Sequence, residues 1–134
     1  MKIRTTVLCL PIKNSERTKH FYEHVFGLKE LDNEKGIVTI ELPHLSLFLM
    51  EQAAFEEYSK RARRLSYFPT NQVGAFISCA LDSQEDVDLA LQNAPLYGGT
   101  APAEATIDRK YGGYIGYITD PDGHLWELVY PQQK

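Results

Sequence analysis

One order of elements occurs twice along these 134 residues, and it limits the fold more than any other feature. Each half reads strand, helix, then three strands. In the first half, Thr5 to Ile12 is continuously apolar and β-branched enough for a buried strand. Asn14 or Ser15 can then cap a helix, with Glu16 in its first turn. Phe21, Tyr22, Val25 and Phe26 recur at spacings of three and four on one face of it, and Gly27 supplies the stop. A short strand is expected near residues 28–31, followed by turn chemistry at Asp32-Asn33-Glu34-Lys35-Gly36. Two alternating strands flank Pro43-His44, with Val38, Ile40 and Leu42 on one side of the first. Leu45, Leu47 and Leu49 share one side of the second.

The second half repeats that order. Residues 73–81 read as a buried strand. Asp82 with Glu85 three residues on is a capping-box variant. Val87, Ala90, Leu91 and Ala94 line one helix face, and Pro95 ends it. A weak strand is expected within residues 99–109. Residues 113–119 and 125–130 form the last two strands, joined by the turn Asp120-Pro121-Asp122-Gly123. The halves share order rather than identity, which suggests an internal duplication. The expected organisation is a single domain over 1–134, with module one at 1–51, a connector at 52–72 and module two at 73–134. Within the connector, residues 56–65 are polar and expected to be helical, with Pro69 ending the segment. The length suits one domain, commonly about 100–150 residues.

Charge and cysteine content narrow the partners. The net charge is −4, which disfavours nucleic acid, whose phosphates demand a basic surface. No stretch approaches the roughly 20 apolar residues of a membrane helix. Met1-Lys2-Ile3-Arg4 runs into strand-like sequence without a secretory leader pattern. Two cysteines, Cys9 and Cys79, are too few for a disulfide framework or a zinc cluster. A cytoplasmic chain with reduced thiols is the expectation.

Two motifs resemble a known family. His20-Phe21-Tyr22-Glu23-His24-Val25-Phe26-Gly27-Leu28 resembles the "FYxxxLGL" helix end of the vicinal oxygen chelate superfamily, which holds glyoxalase I, bleomycin-resistance proteins and extradiol dioxygenases. Asp120-Pro121-Asp122-Gly123-His124-Leu125-Trp126-Glu127-Leu128 resembles its C-terminal signature "DPDGHxWEL". The resemblance implies an α+β fold of two βαβββ modules forming an incompletely closed sheet around a central pocket, and a homodimer. It also implies a lid at the connector, where Lys60, Arg61, Arg63 and Arg64 would favour an acidic ligand. The competing reading is a solvated face pairing with Glu56 and Glu57.

The family's metal-dependent members hold a divalent ion with His, Gln or Glu from the first and last strand of each module. Carried over by position, one ligand falls on Glu127. The others fall on Val7, Phe76 and the segment 47–50, none of which supplies a hard ligand; Glu51 lies one step past. No metal ligands are therefore assigned, and a divalent metal is disfavoured. Glu127 shares a strand face with Leu125 and Val129, and is the candidate general base or ligand-binding carboxylate. The competing reading is a relic carboxylate satisfied by a neighbouring hydroxyl or amide.

The same placement puts Val7 and Cys9 on the pocket face of the first strand and Phe76 and Ser78 on that of the fifth, with Cys79 turned under a helix. The run Tyr111-Gly112-Gly113-Tyr114-Ile115-Gly116-Tyr117 offers aromatic walls and close backbone approach, or only strand curvature; Tyr111 and Tyr114 are its candidate ligand contacts. His20 and His24 read as a solvated pair, and His124 as an exposed residue after a tight turn. Three functions stay open. The first is a metal-independent glyoxalase/bleomycin-resistance-like protein binding a small organic molecule beside Glu127. The second is a metal-dependent lyase, isomerase or dioxygenase with non-standard ligands. The third is a non-catalytic dimeric module.

Overall fold

In the computed structural model, which describes residues 1–132, the first apolar run becomes β1 (Val7–Ile12). Asn14 then breaks into extended backbone and accepts a hydrogen bond from the Arg17 amide, starting α1 (Ser15–Val25). A second acceptor helps this start: Glu51 Oε2 takes the Ser15 amide at 2.9 Å. Phe26 caps the helix, and Gly27 follows at φ 69°, the left-handed stop that glycine adopts without steric cost.

Three strands complete module one: β2 (Asp32–Glu34), β3 (Ile37–Leu42) and β4 (Leu45–Glu51). The short strand lies later than residues 28–31. Leu28 and Leu31 pack against the core instead, and the polar Asp32–Glu34 pairs at the sheet edge. Its hairpin turn is Lys35-Gly36, both at positive φ, the geometry that matches strand twist.

Helix α2 (Gln52–Ser59) follows β4 directly, and a 3-10 turn at Lys60–Ala62 ends at Arg63 in the left-handed region. The helix is thus earlier than expected, and Arg63 rather than Pro69 terminates it. Module two comprises β5 (Phe76–Ala80), α3 (Gln84–Asn93), a 3-10 turn at Ala94–Tyr97, β6 (Thr106–Ile107), β7 (Tyr114–Thr119) and β8 (Leu125–Tyr130). Ser83, not Asp82, caps α3, accepting the Asp86 amide at 3.1 Å. The pattern of a short polar side chain followed three residues later by an acid occurs twice in overlapping register here, and the second occurrence wins.

The strand orders are β1-β4-β3-β2 and β5-β8-β7-β6. In each sheet the first strand runs parallel to the last and the remaining pairs are antiparallel. The fold is α+β, built of two repeated βαβββ modules, and the sheet is not closed. Helices α1 and α3 pack on the same side and touch each other. Phe21, Tyr22 and Val25 of α1, Val38, Ile40, Leu47 and Leu49 of β3 and β4, Val87 and Ala90 of α3, and Ile118, Trp126 and Leu128 of β7 and β8 form one buried cluster spanning both modules. Each large aliphatic side chain in it contributes about 1.5–3 kcal/mol through burial. β1 and β5 differ from the expected fully buried strands. Both are edge strands, packed on one face only, so Val7 and Phe76 on the other face are exposed.

A polar network inside this cluster ties the β7–β8 turn to module one. Asp120 Oδ2 accepts the Tyr22 hydroxyl at 2.7 Å, and Tyr22 in turn accepts Trp126 Nε1–H at 3.0 Å. Asp120 Oδ1 takes the amides of Asp122 and His124, both at 2.9 Å. Asp122 Oδ1 accepts the Lys13 amide and the Arg17 guanidinium. His124 is buried, correcting the expectation of an exposed residue. Its Nε2 lies 2.6 Å from the Pro11 carbonyl oxygen, which can only accept, so Nε2 carries the proton. Burial raises the pKa of both the Tyr22 phenol and the Asp120 carboxyl.

Tyr22→Phe leaves the Trp126 N–H and one Asp120 oxygen without their partner and is expected to cost about 1–3 kcal/mol. Asp120→Ala strips three donors of their acceptor and should cost more. Urea unfolding followed by Trp126 fluorescence measures both; stabilities equal to wild type would remove this network as the link between modules.

Candidate functional site

Strand alternation sorts β8 into two faces. Trp126 and Leu128 enter the core, while Leu125, Glu127 and Val129 take the face away from α3. On that face Glu127 stands beside Ser78 of β5 and Tyr117 of β7, its direct register partners on either side. Ser78 Oγ donates to Glu127 Oε1 at 2.7 Å and the Tyr117 hydroxyl donates to Oε2 at 2.5 Å. Phe76, two residues before Ser78 on the same face, is 53% exposed, and Tyr117 is 37% exposed.

The hydrogen bond to Glu127 is the main cause of an upward shift in the Tyr117 phenol, to about 12; burial and the charges of Glu127 and Asp108 add to it. At neutral pH the phenol therefore stays protonated and donates. Two hydroxyls fix the carboxylate plane without using all its lone pairs, since a carboxylate offers about four acceptor sites. The arrangement is a pre-oriented acceptor beside an exposed aromatic ring. It can take an ammonium or hydroxyl donor from solution.

The other sequence candidates separate from this group. Cys9 lines a groove on the open face of the first sheet with Ile37, Phe48 and Met50, and Val7 is exposed one alternation before it. Burial pushes the Cys9 thiol up, away from the reactive thiolate. Cys79 packs against the core, as expected, and both cysteines are free.

Tyr114 goes to the opposite face, where its hydroxyl donates to Asp88 Oδ1 of α3 at 2.5 Å. Tyr111 is 72% exposed, with the Lys110 ammonium over its ring. Neither tyrosine meets Glu127. Gly116 serves the helix: a Cβ there would lie 2.6 Å from Leu91 and 3.0 Å from Val87 of α3. Tyr117 is the contact that sequence reasoning missed. The signal was present, because counting back from the turn at residues 120–123 places Tyr117 opposite Glu127 in an antiparallel hairpin.

The donor set does not fit the divalent ion of the metal-dependent relatives. Val7 and Phe76 present hydrocarbon at two of the expected positions. Both Glu127 oxygens accept hydroxyls, and Glu51 is engaged at the start of α1. Among the described residues, no group of three His, Cys, Asp or Glu side chains is placed to hold a metal ion.

Comparison with known proteins gives the wider setting. The family model described as the Glyoxalase/Bleomycin resistance protein/Dioxygenase superfamily matches residues 4–128, and the chain belongs to that superfamily. Among solved structures, hypothetical protein SA1046 from S. aureus is similar with a TM-score of 0.80 and 24% identity, covering 97% of this chain and 95% of its own. A glyoxalase-related enzyme from Fulvimarina pelagi matches with a TM-score of 0.79 and 20% identity, over 95% of this chain and 87% of its own. A glyoxalase/bleomycin resistance protein/dioxygenase family enzyme from Burkholderia phytofirmans PsJN gives 0.77 and 16%, over 95% and 98%. At these identities the likeness establishes the fold. No curated protein matches the sequence.

The raised Tyr117 pKa carries a sign. Its contribution to stability is fully present below pH 10 and is lost as pH rises through about 12. An ultraviolet difference titration of wild type against Tyr117→Phe should show this phenol ionising near 12, and Glu127→Gln should move it down toward 10. Ionisation at the ordinary value in wild type would mean that Tyr117 does not donate to Glu127.

Proposed function

We propose that this chain is a metal-independent member of its superfamily that binds a small organic molecule on the open face of the second sheet. The observation that carries the reading is the Glu127 carboxylate, held between the Ser78 and Tyr117 hydroxyls and flanked by exposed Phe76. A ligand with an aromatic body and an ammonium or hydroxyl group suits that surface, because the ring stacks on Phe76 and the donor meets Glu127. If the site also reacts its ligand, Glu127 is the group placed to accept a proton. A homodimer fits the edge of the first sheet, where a second copy would cover exposed Val7 of β1. The unpaired thiols suit a reducing compartment such as the cytoplasm.

Thermal unfolding tests this reading in two arms. Nickel, zinc, manganese and iron(II), each with and without chelator, should leave the melting temperature unchanged. Aromatic amines should raise it in wild type and not in Glu127→Gln, with about 2.7 kcal/mol gained at a hundredfold excess over Kd. A metal ion bound near one per chain and lost in Glu127→Gln would overturn the reading and restore metal-assisted lyase or dioxygenase chemistry.

A further inference from the structure

The side of the molecule opposite Glu127 carries a pair of imidazoles. Glu127 takes the sheet face away from α3, and α1 packs on the same side as α3, so the core separates the outer surface of α1 from Glu127. His20 and His24 lie on that surface, four residues and about one turn apart. Both are exposed, as their spacing from the Phe21, Tyr22 and Val25 stripe predicts. They are not independent, however. Their ring centres lie 4.1 Å apart, and Tyr97, from the 3-10 turn of module two, closes on both. Its ring stacks on His24 at 4.7 Å and 25°, and meets His20 at 5.4 Å in an edge arrangement.

Two further observations give this cluster a chemistry. The first is a tautomer. His24 Nδ1 lies 2.9 Å from the His20 carbonyl oxygen. That oxygen can only accept, so Nδ1 carries the proton and Nε2 keeps its lone pair. A backbone carbonyl holding the far nitrogen is the contact that orients imidazole ligands of metal ions and raises their basicity. The second is that the carboxylates of α1 are committed elsewhere. Glu16 Oε1 accepts the Asn33 side-chain amide at 2.6 Å. Glu23 Oε2 accepts the Leu31 amide at 3.1 Å and faces the Lys19 ammonium at 3.7 Å. Among the described residues, neither histidine makes an ion pair. The two rings are thus gathered with no acid between them. Tyr97 also restricts their rotation, so less freedom is lost when an ion joins them.

From this juxtaposition we propose that His20 and His24 chelate copper(II) on the helix side of the molecule. Each imidazole gives one nitrogen, Nε2 in the case of His24. Two ligands from one helix leave the remaining positions of the ion to water or to an exchangeable ligand. Copper(II) is the ion selected because imidazole suits it and because affinity rises along the divalent series through manganese, iron and nickel to copper, then falls at zinc. Its tetragonal geometry accepts nitrogen and water oxygen together. Both ligands sit on a helix, so the site is distinct from the strand positions at which metal-dependent relatives hold their ion. It asks nothing of Glu127, whose oxygens accept the Ser78 and Tyr117 hydroxyls.

Copper(II) itself is the probe, supplied as its glycine complex to suppress loose binding. Equilibrium dialysis measures uptake, and electron paramagnetic resonance reports the ligands. Wild type should take up one ion per chain and show coupling to two imidazole nitrogens. His20→Gln and His24→Gln should each weaken uptake roughly a hundredfold, the low end of the gain from linking two binding groups. Both side chains are exposed, so these variants are expected to fold, which circular dichroism checks. His44→Asn removes an exposed histidine from the turn between β3 and β4 and should change nothing. Glu127→Gln should keep the copper, so the outcome is independent of the reading for the second sheet. Uptake unchanged in His20→Gln and His24→Gln, a spectrum of sulfur coordination, or copper lost in Glu127→Gln would each overturn the proposal.

Discussion

The Asp120 carboxylate sits at the end of β7, 2% exposed, and accepts hydrogen bonds from the Tyr22 hydroxyl and from the backbone of Asp122 and His124. A buried carboxylate without those donors would cost far more than it could return. With them it becomes a pin. Tyr22 belongs to α1 of the first module, and His124 reaches the Pro11 carbonyl at the end of β1. The β7–β8 turn is thereby fastened to module one at the side chain of its first residue and at His124. Since β8 starts at Leu125, the direction of that strand, and with it the face that Glu127 occupies, depends on the pin.

This division explains the sequence signature at residues 120–128. Asp120, Asp122, His124 and Trp126 all serve the junction between modules, whereas Glu127, one residue on, emerges on the opposite face. A motif that identifies the superfamily is therefore mainly a structural device here, with a single chemically available residue at its end. Membership and chemistry are separable for this reason. The turn is compatible with hydrocarbon at Val7 and Phe76, two positions where the resemblance would place metal ligands.

The two sheets present unlike open faces, although the modules share topology. In the first, α2 stands against apolar residues of the sheet; in the second, Glu127 lies beside hydroxyls, with no helix across it among the described residues. The position of α2 follows from what comes after β4. After β4 the chain turns immediately into a helix, whose residues Phe55 and Tyr58, three apart, face back onto the sheet.

The sequence by itself determined the repeated order of elements, the helix faces and the division of β8 into two alternating sets. Each is a local periodicity, set by 3.6 residues per turn or by strand alternation, and needs no knowledge of distant residues. Cys79 and Glu127 fall on opposite sheet faces for the same reason. Only the tertiary structure decided the fates of His124, Tyr114 and Gly116. His124 follows a turn, where local rules expect solvent, but Pro11, far away in sequence, supplies the buried acceptor. Tyr114 and Gly116 lie on the side of β7 that α3 covers, and which side that is depends on helix–sheet packing across the module. The separation of Cys9 from Glu127 has the same origin. Both sit on open sheet faces, but α2 stands beside Cys9 and not beside Glu127, and that placement is a contact between elements rather than a property of any short stretch of sequence.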